Sequence, residues 1–265
     1  MSDTDRATAN IRIMEELADK DTAVHRRHPV ANLLVTLFYI VAVASYGKYE
    51  LSALLPLLFY PLAVFSIADI PPGLVLKRMA LALPFVIGIG IFNPIFDKNT
   101  ITLAGMAISA GWVSFASILL RCCLSVVGAL LLMCVEGMKG LSAALRALKV
   151  PRILVMQLLL TFRYIHVLGE EAARMMLAYQ LRAPGQRGIA FRQWGPMAGQ
   201  WLLRTLKRAD RLHQAMLCRG FNGDLPARKP GAFTLTDTLY LLGWTALFVA
   251  ARLVNIPQAI GSLFS

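Results

Sequence analysis

The sequence predicts an all-α integral membrane protein, with about five transmembrane helices and a cytoplasmic insertion of three helices. Hydrophobic residues make up 57% of the 265 residues and charged residues only 16%. The mean hydropathy of +0.60 is too high for a soluble domain with a single core. Long uncharged runs, with one strongly basic stretch between them, complete the prediction.

Four uncharged runs in the first half meet or nearly meet the roughly 20 residues that a helix needs to cross about 30 Å of hydrocarbon. They cover residues 29–47, 51–68, 79–96 and 99–135, the last with one arginine inside. A weaker fifth run covers 238–251. The fourth run is too long for one minimal span and too short for two, so we expect one long or tilted helix. Between the second and third runs, two prolines and Gly73 predict a tight turn in which the glycine frees the backbone.

Arg121 lies inside the fourth run. A buried arginine in a membrane span is costly unless it is paired or hydrated, so it can mark a functional site. It can equally bond to the carbonyl groups of neighbouring helices or extend towards the membrane surface, which is the more usual case. Both interpretations stay open from the sequence.

The distribution of basic residues predicts the orientation. The first 28 residues carry six acidic and five basic side chains, which is not the layout of a signal peptide. With this segment in the cytoplasm and five spans, the cytoplasmic side collects twenty-three lysines and arginines and the outside three. The predicted domains are a cytoplasmic segment over 1–28, spans one to four over 29–136, cytoplasmic helices over 137–232, and a last span with the C-terminus over 233–265.

The stretch from residue 137 to residue 235 carries sixteen lysines and arginines against four acidic residues, a charge of +12 that equals the net charge of the whole protein. We expect three helices in it. A short amphipathic helix covers 141–148, and a long helix runs from Pro151 to Ala183, because proline in the first turn costs no hydrogen bond. A third helix is expected from near Pro196 to Gly220.

One frame, Arg-x-x-x-Ala-x-x-x-Arg, occurs twice in this basic stretch, at Arg174, Ala178 and Arg182 and again at Arg211, Ala215 and Arg219. Spacing by four stacks the three side chains on one helix face and puts the final arginine in the last turn. There the helix dipole favours a cation by about 0.3 to 1 kcal/mol. A single helix end of this kind, which we call a tip, is therefore explained as a simple C-terminal cap. Two tips with the same frame predict a docking surface, since alanine permits close approach and arginine offers a planar fork to carboxylate or carbonyl groups.

The chain resembles the transmembrane coupling subunit of energy-coupling factor (ECF) transporters, and most of all the cobalt-type member called CbiQ. Four segments carry the resemblance: Asn-Pro-Ile-Phe-Asp at 93–97, Leu181-Arg182-Ala183, Arg-Ala-Asp-Arg at 208–211, and Ala-Met-Leu-Cys-Arg-Gly-Phe at 215–221. The family's coupling motif is Ala-Arg-Gly. The second copy here, Cys218-Arg219-Gly220, departs from it only at Cys218, whereas the first keeps only Arg182.

The resemblance implies that the two long cytoplasmic helices cross and that each motif docks onto one of two CbiO-like ABC ATPases. ATP-driven closure of the ATPase pair would then move the helices and tilt a separate, CbiM-like substrate-binding membrane subunit, with a small CbiN-like subunit as an optional partner. No cofactor is expected on this chain itself, because ATP acts through the partner subunits. The choice between cobalt and nickel stays open, since another polypeptide would bind the ion.

Four further residues are expected to support this interface: Met175, Ala178, Ala215 and Met216. The methionines can supply an adaptable apolar contact, and ordinary packing explains them equally well.

Several other functions are not favoured by the sequence. No glycine-rich phosphate loop with a following lysine and hydroxyl residue is present, so the chain is not expected to hydrolyse ATP. His25 and His28 and the four cysteines lack metal-ligand spacing. The basic helices are expected to face anionic lipid and not nucleic acid. An alternative from another class is a membrane-embedded lipid-modifying enzyme with a basic cytoplasmic face, although the paired acids that would hold Mg²⁺ are missing.

Overall fold

The computed structural model describes residues 17–18, 20–47, 52–91, 100–103, 106–183, 188–223, 231 and 233–253. The elements in this part of the chain are α1 (Pro29–Ser45), a 3₁₀ helix (Ser52–Leu58), α2 (Phe59–Ala68), α3 (Pro72–Gly90), β1 (Thr100–Leu103), β2 (Met106–Ser109), α4 (Ala110–Ala147), α5 (Arg152–Arg182), α6 (Phe191–Cys218) and α7 (Leu235–Leu253). The predicted all-α class is confirmed.

The described residues form two compact units. The bundle comprises the described residues within Glu16–Ala144 and Pro230–Ser265, and therefore contains α1 to α3, nearly all of α4, and α7. The arm comprises Leu145–Lys229 and contains α5 and α6. Met1–Glu15 lies outside the described residues.

Contacts at the helix ends set the direction of α7 and α2 relative to α1. The backbone N–H of His28 donates to Asp237 Oδ1 over 3.2 Å, so α1 and α7 start at the same end of the bundle. At the other end, the guanidinium of Arg252 lies 4.8 Å from the ring centre of Tyr46, which makes α1 and α7 parallel. Lys20, before α1, pairs with Asp69, after α2, at 3.2 Å, so α2 returns to the end at which α1 begins.

Helix α4 runs antiparallel to α1. Near its start, Arg121 donates to the carbonyl of Gly47, beyond the end of α1. Near its far end, Glu136 Oε1 accepts from Asn32 Nδ2 over 2.7 Å, close to the start of α1. The end of α3 meets the start of α4 at Gly90, where an added Cβ would lie 2.7 Å from Phe115.

The helices α1, α2, α3, α4 and α7 therefore alternate in direction along the chain, as repeated crossing of a bilayer requires. Within the part of the chain that the structure describes, two helices could span a membrane by length and composition, Gly111–Ala147 and Arg152–Arg182, and Pro29–Ser45 and Ala53–Ala68 are shorter apolar helices. The second long helix is α5, so its predicted cytoplasmic position rests on its polar residues and not on its length. The number of crossings stays a prediction.

Aromatic side chains fill the centre of the bundle. The rings of Tyr39, Tyr60 and Phe248 lie within 5.6 Å of one another, and Trp244 packs against Tyr60 at 5.0 Å. Because Tyr60 is buried, its hydroxyl needs a partner, which is Thr36 Oγ1 at 3.0 Å. These contacts join α1, α2 and α7 into one core.

Arg121 bonds to the backbone of a neighbouring segment. Its guanidinium donates to the Gly47 carbonyl and, over 3.0 Å, to Ser117 Oγ, one turn earlier in α4. The structure therefore favours the interpretation in which this arginine satisfies a carbonyl group at the end of another helix.

Several sequence predictions about element bounds and turns were wrong. Residues 100–109 form an antiparallel hairpin, with Ile101 opposite Ile108, and the three consecutive β-branched residues Thr100, Ile101 and Thr102 favour a strand over a helix. The left-handed residue of the turn after α2 is Asp69, with φ 49°, and Gly73 lies inside α3. Helix α6 begins at Phe191, with Pro196 inside it, since the fixed φ of proline suits a helix and only one backbone bond is lost.

Helix α4 is broken at Gly137, which takes a non-helical φ of 57° and ψ of −171°. The helical residues after this break end at Ala147 and correspond to the predicted short helix over 141–148, which therefore starts earlier than expected. An added Cβ at Gly137 would lie 2.9 Å from the Cβ of Ala18, so both the backbone angle and the close approach require glycine here.

Candidate functional site

The second tip, at the end of α6, is closed by a Schellman motif. Arg219 is the C-cap residue, and Gly220 follows it with a left-handed φ of 78°. The N–H of Gly220 donates to the carbonyl of Leu217 over 2.9 Å, and the N–H of Phe221 donates to that of Met216 over 3.0 Å. These bonds satisfy carbonyl groups that the helix itself leaves free. The glycine of the motif is therefore a backbone requirement, and it holds the preceding arginine at a defined helix end.

The first tip, at the end of α5, is built differently. Arg182 is the last helical residue, and the C-cap residue Ala183 has a φ of −125°. Its N–H donates to the carbonyl of Tyr179 over 3.1 Å. No left-handed glycine is needed at such a cap, which explains why Ala183 can stand where the family motif has glycine. Pro184, which follows, lies outside the described residues.

The structure places every predicted site residue in the arm, and the six motif residues lie at the helix ends. Leu181 is 75% exposed, and Arg182, Cys218, Arg219 and Gly220 are exposed as well. The remaining residues divide into exposed Ala215 and half-buried Met175, Ala178, Ala183 and Met216. The motif segment at 93–97 lies outside the described residues.

A cavity of about 630 Å³ between α5 and α6 brings several residues of the first frame together. Arg174, Met175, Ala178 and Arg182 line it from α5. The second frame does not contribute to it. The two predicted tips are therefore separate surfaces, and each presents a guanidinium beside apolar side chains.

Helices α5 and α6 cross, as the resemblance implies, and they contact each other at residues that the sequence reasoning did not identify. Glu171 on α5 accepts from Arg204 on α6 over 2.9 Å, and Arg208 lies 3.7 Å away. Beside them, the indole N–H of Trp201 donates to the carbonyl of Leu168 over 3.3 Å. The signal available in the sequence was the scarcity of acidic residues in so basic a segment.

The electrostatics of the crossing favour the ionised form of Glu171. The hydrogen bond from Arg204 lowers the pKa of this carboxyl most strongly, and Arg174 at 3.2 Å lowers it further, while burial acts in the opposite direction. Glu171 is 15% exposed at its side chain and is shared by three arginines. The carboxylate thus neutralises part of the basic surface at the point where the helices meet.

The two tips lie on opposite sides of this crossing. The N–H of Ala190, at the start of α6, donates to the hydroxyl of Tyr179 over 3.4 Å, so α6 begins beside the first tip. It then passes the crossing at Trp201 and ends at the second tip. Within the described ranges, no group of three or more His, Cys, Asp or Glu side chains is placed so that it could hold a metal ion. The site therefore offers two separated contact points for other molecules.

Comparison with known proteins identifies the family. A family model described as "CbiQ: Cobalt transport protein" matches residues 20–230, which include both tips and the crossing. The chain belongs to the CbiQ family. It is accordingly a component of a transport system, and its apolar helices fit the membrane character of that family. The alternative of a lipid-modifying enzyme is not favoured.

Two named relatives share parts of this CbiQ-family chain. The nickel permease LarQ of Lactiplantibacillus plantarum is 34% identical over 85 residues, which is 32% of this chain and 31% of the relative. The cobalt transport protein CbiQ of Rhodobacter capsulatus is 32% identical over 117 residues, covering 43% of this chain and 48% of the relative. An uncharacterized protein of Methanocaldococcus jannaschii is 24% identical over 205 residues, or 73% and 70% of the two chains. The matched parts thus span about a third and about half of the two named relatives.

Proposed function

We propose that this chain is the transmembrane energy-coupling subunit of an ECF-type ABC importer for cobalt ion. It transmits the conformational change of a cytoplasmic ATPase pair to a substrate-binding membrane subunit. The observation that supports this most directly is the pair of exposed arginine tips, Arg182 and Arg219, on opposite sides of one helix crossing. Two contact points on one crossed pair of helices suit a partner that has two copies.

Each tip acts as an anchor. An exposed guanidinium at a helix end docks into a groove that offers carboxylate or carbonyl oxygens, and the neighbouring apolar side chains exclude water from the contact. Closure of the ATPase pair moves the helices only if the tips stay attached in both states and the contact energies differ between those states. The well-defined end of α6 at Gly220 serves this role, because a fraying helix end would absorb the motion.

The proposed assembly contains two CbiO-like ABC ATPases, a CbiM-like substrate-binding subunit and, as an optional part, a small CbiN-like subunit. ATP acts through the ATPases, and this chain binds no cofactor directly. The chain lies in the inner membrane as a multi-pass protein, with its N-terminus and the arm in the cytoplasm. This orientation follows from the excess of lysine and arginine in those segments.

Cobalt is proposed as the cargo because the family description names it. One relative is named as a nickel permease, so the ion is decided by uptake measurements with both metals in cells that express the whole transporter. Uptake of radioactive cobalt that depends on this chain supports the proposed cargo. Uptake of nickel alone would reassign it.

Charge reversal at the tips tests the proposed coupling. We expect Arg182→Glu and Arg219→Glu each to reduce ATPase co-purification and metal uptake by at least about ten-fold, since losing one partner of an interfacial charge pair costs about 2 kcal/mol or more. The double variant should lose both completely. Arg192→Glu, which reverses an exposed charge near the start of α6, is the matched control and should retain both. A double variant with full complex and full uptake would contradict the proposal.

The Arg219 change is expected to be the more damaging of the two. Its motif is the more complete, and the Schellman bonds of Gly220 and Phe221 fix its position. Arg182 precedes a cap without such bonds and has more freedom to adapt. Equal or reversed effects on uptake would show that completeness of the motif does not determine the strength of coupling.

A further inference from the structure

Apart from the bond between the Ala190 N–H and the Tyr179 hydroxyl at the start of α6, the contact between α5 and α6 is concentrated at one crossing. Leu168 and Glu171 are three residues apart and present one face of α5, while Trp201, Arg204 and Arg208 present one face of α6. The crossing combines a side-chain bond to the backbone with a carboxylate shared by several guanidinium groups.

Open space flanks the crossing. The cavity of about 630 Å³ extends along α5 past Arg174 and Ala178 towards the first tip. A second cavity of about 250 Å³ lies at the crossing and is lined mainly by Leu168 and Glu171 from α5 and by Lys207 and Arg211 from α6. Because these cavities separate the helices, side-chain packing there does little to hold the angle between them.

The geometry makes the crossing the point about which the ends of α5 and α6 can pivot. Arg182 lies eleven residues beyond Glu171, and Cys218 lies fourteen residues beyond Arg204, or about 16 Å and 21 Å at 1.5 Å per residue. The two tips lie on opposite sides of the crossing. A small change of crossing angle is therefore amplified into a displacement of both tips.

We propose that Glu171 is a positioning residue that fixes the angle at which α5 and α6 cross, so that movement of one tip is passed to the other. The assignment rests on the proposed function for its biological meaning. The physical claim, that one carboxylate holds the crossing angle, can be tested without any partner protein. Removing the charge leaves Arg204 and Arg208 on α6, and Arg174 on α5, without the anion that they share.

The test measures the distance between the two tips in the full-length chain, reconstituted in lipid nanodiscs without ATPases. Spin labels are attached to the exposed native Cys218 and to a Leu181→Cys substitution, after Cys122, Cys123 and Cys134 are changed to serine. Pulsed electron paramagnetic resonance then gives the distribution of tip-to-tip distances for each variant.

We expect Glu171→Gln to widen this distribution at least about two-fold while the unfolding midpoint stays unchanged. Glu170→Gln removes the neighbouring exposed acid and is the matched control, which should leave the distribution as it is. Arg204→Gln and Arg208→Gln together should reproduce the widening, and adding Glu171→Gln to them should change nothing further, because both sets of substitutions remove the same contact across the crossing. Superimposable distributions for Glu171→Gln and the parent would overturn the proposal.

Salt provides a measurement without substitution. At about 1 M salt the Debye length falls to about 3 Å. The distribution of tip-to-tip distances in the parent should therefore widen towards that of Glu171→Gln, while the distribution of that variant changes little. A parent that keeps its narrow distribution in high salt would contradict a crossing held by charge.

Uptake separates this proposal from the proposed function. In the assembled transporter, Glu171→Gln should retain the ATPases, because both tip arginines are intact, and should lose metal uptake several-fold. Loss of the ATPases together with uptake would assign Glu171 to docking and overturn the positioning role. Failure of the tip variants to affect the ATPases would defeat the proposed function and leave the distance measurement valid on its own.

Discussion

At the scale of single residues, glycines and polar groups have roles that their chemistry explains only after the backbone is known. Gly73 was expected to supply the turn after α2, yet the left-handed position is taken by Asp69, whose short polar side chain tolerates it and pairs with Lys20. Gly220, in contrast, stands where the sequence predicts a helix end and has the left-handed φ that this end needs. The residue type suggested both turns, but only the backbone angles show which residue forms each.

Gly220→Ala tests the cap at the second tip. Because a Cβ is disfavoured at a φ of 78°, we expect this change to cost about 1 to 2 kcal/mol locally and to speed amide hydrogen exchange at the end of α6. Gly199→Ala, inside the same helix with open space around it, should instead slow exchange, since alanine favours a helix by about 1 kcal/mol over glycine. Equal exchange in the two variants would show that the cap does not hold the tip.

At the scale of elements, close approach between helices depends on small residues that a hydropathy pattern does not reveal. Gly128 on α4 faces Tyr39 on α1, and an added Cβ would lie 2.9 Å from the ring. Tyr39 is fully buried among aromatic rings, so it cannot move aside without disturbing the core. The apolar run predicted α4, but only the packing shows which glycine touches α1.

Gly128→Ala should destabilise the bundle by about 1 to 3 kcal/mol, the usual cost of overpacking a core. Gly243→Ala, in α7, has open space around it and should not reduce stability. The free energy of SDS-induced unfolding in mixed micelles measures both. A Gly128 variant as stable as the Gly243 variant would show that the α1–α4 contact can relax.

At the scale of the whole molecule, charge distribution and helix direction are consistent with the proposed orientation. The alternation of α1, α2, α3, α4 and α7 puts the starts of α1 and α7 at one end of the bundle. The basic segments adjoin that end in the sequence, so the proposed orientation, based on the positive-inside rule, puts it in the cytoplasm.

Labelling of Cys218 tests this orientation. With Cys122, Cys123 and Cys134 changed to serine, a membrane-impermeant maleimide should label the exposed thiol of Cys218 in inverted membrane vesicles and leave it unlabelled in intact spheroplasts. A Trp112→Cys substitution in a chain without native cysteines should show the opposite pattern, because exposed Trp112 lies near the start of α4 at the other end of the bundle. Labelling of Cys218 from outside would invert the proposed topology.

The sequence by itself determined the helical membrane class, the family, and the two arginine tips, because these depend on composition, on local spacing and on motif residues that are contiguous in the chain. Only the tertiary structure decided the crossing at Glu171, the carbonyl partner of Arg121 and the close approach at Gly128. Each joins residues tens of positions apart, such as Glu171 with Arg204 and Gly47 with Arg121. Which side chains meet across such separations depends on the packing of whole helices, and no local pattern encodes it.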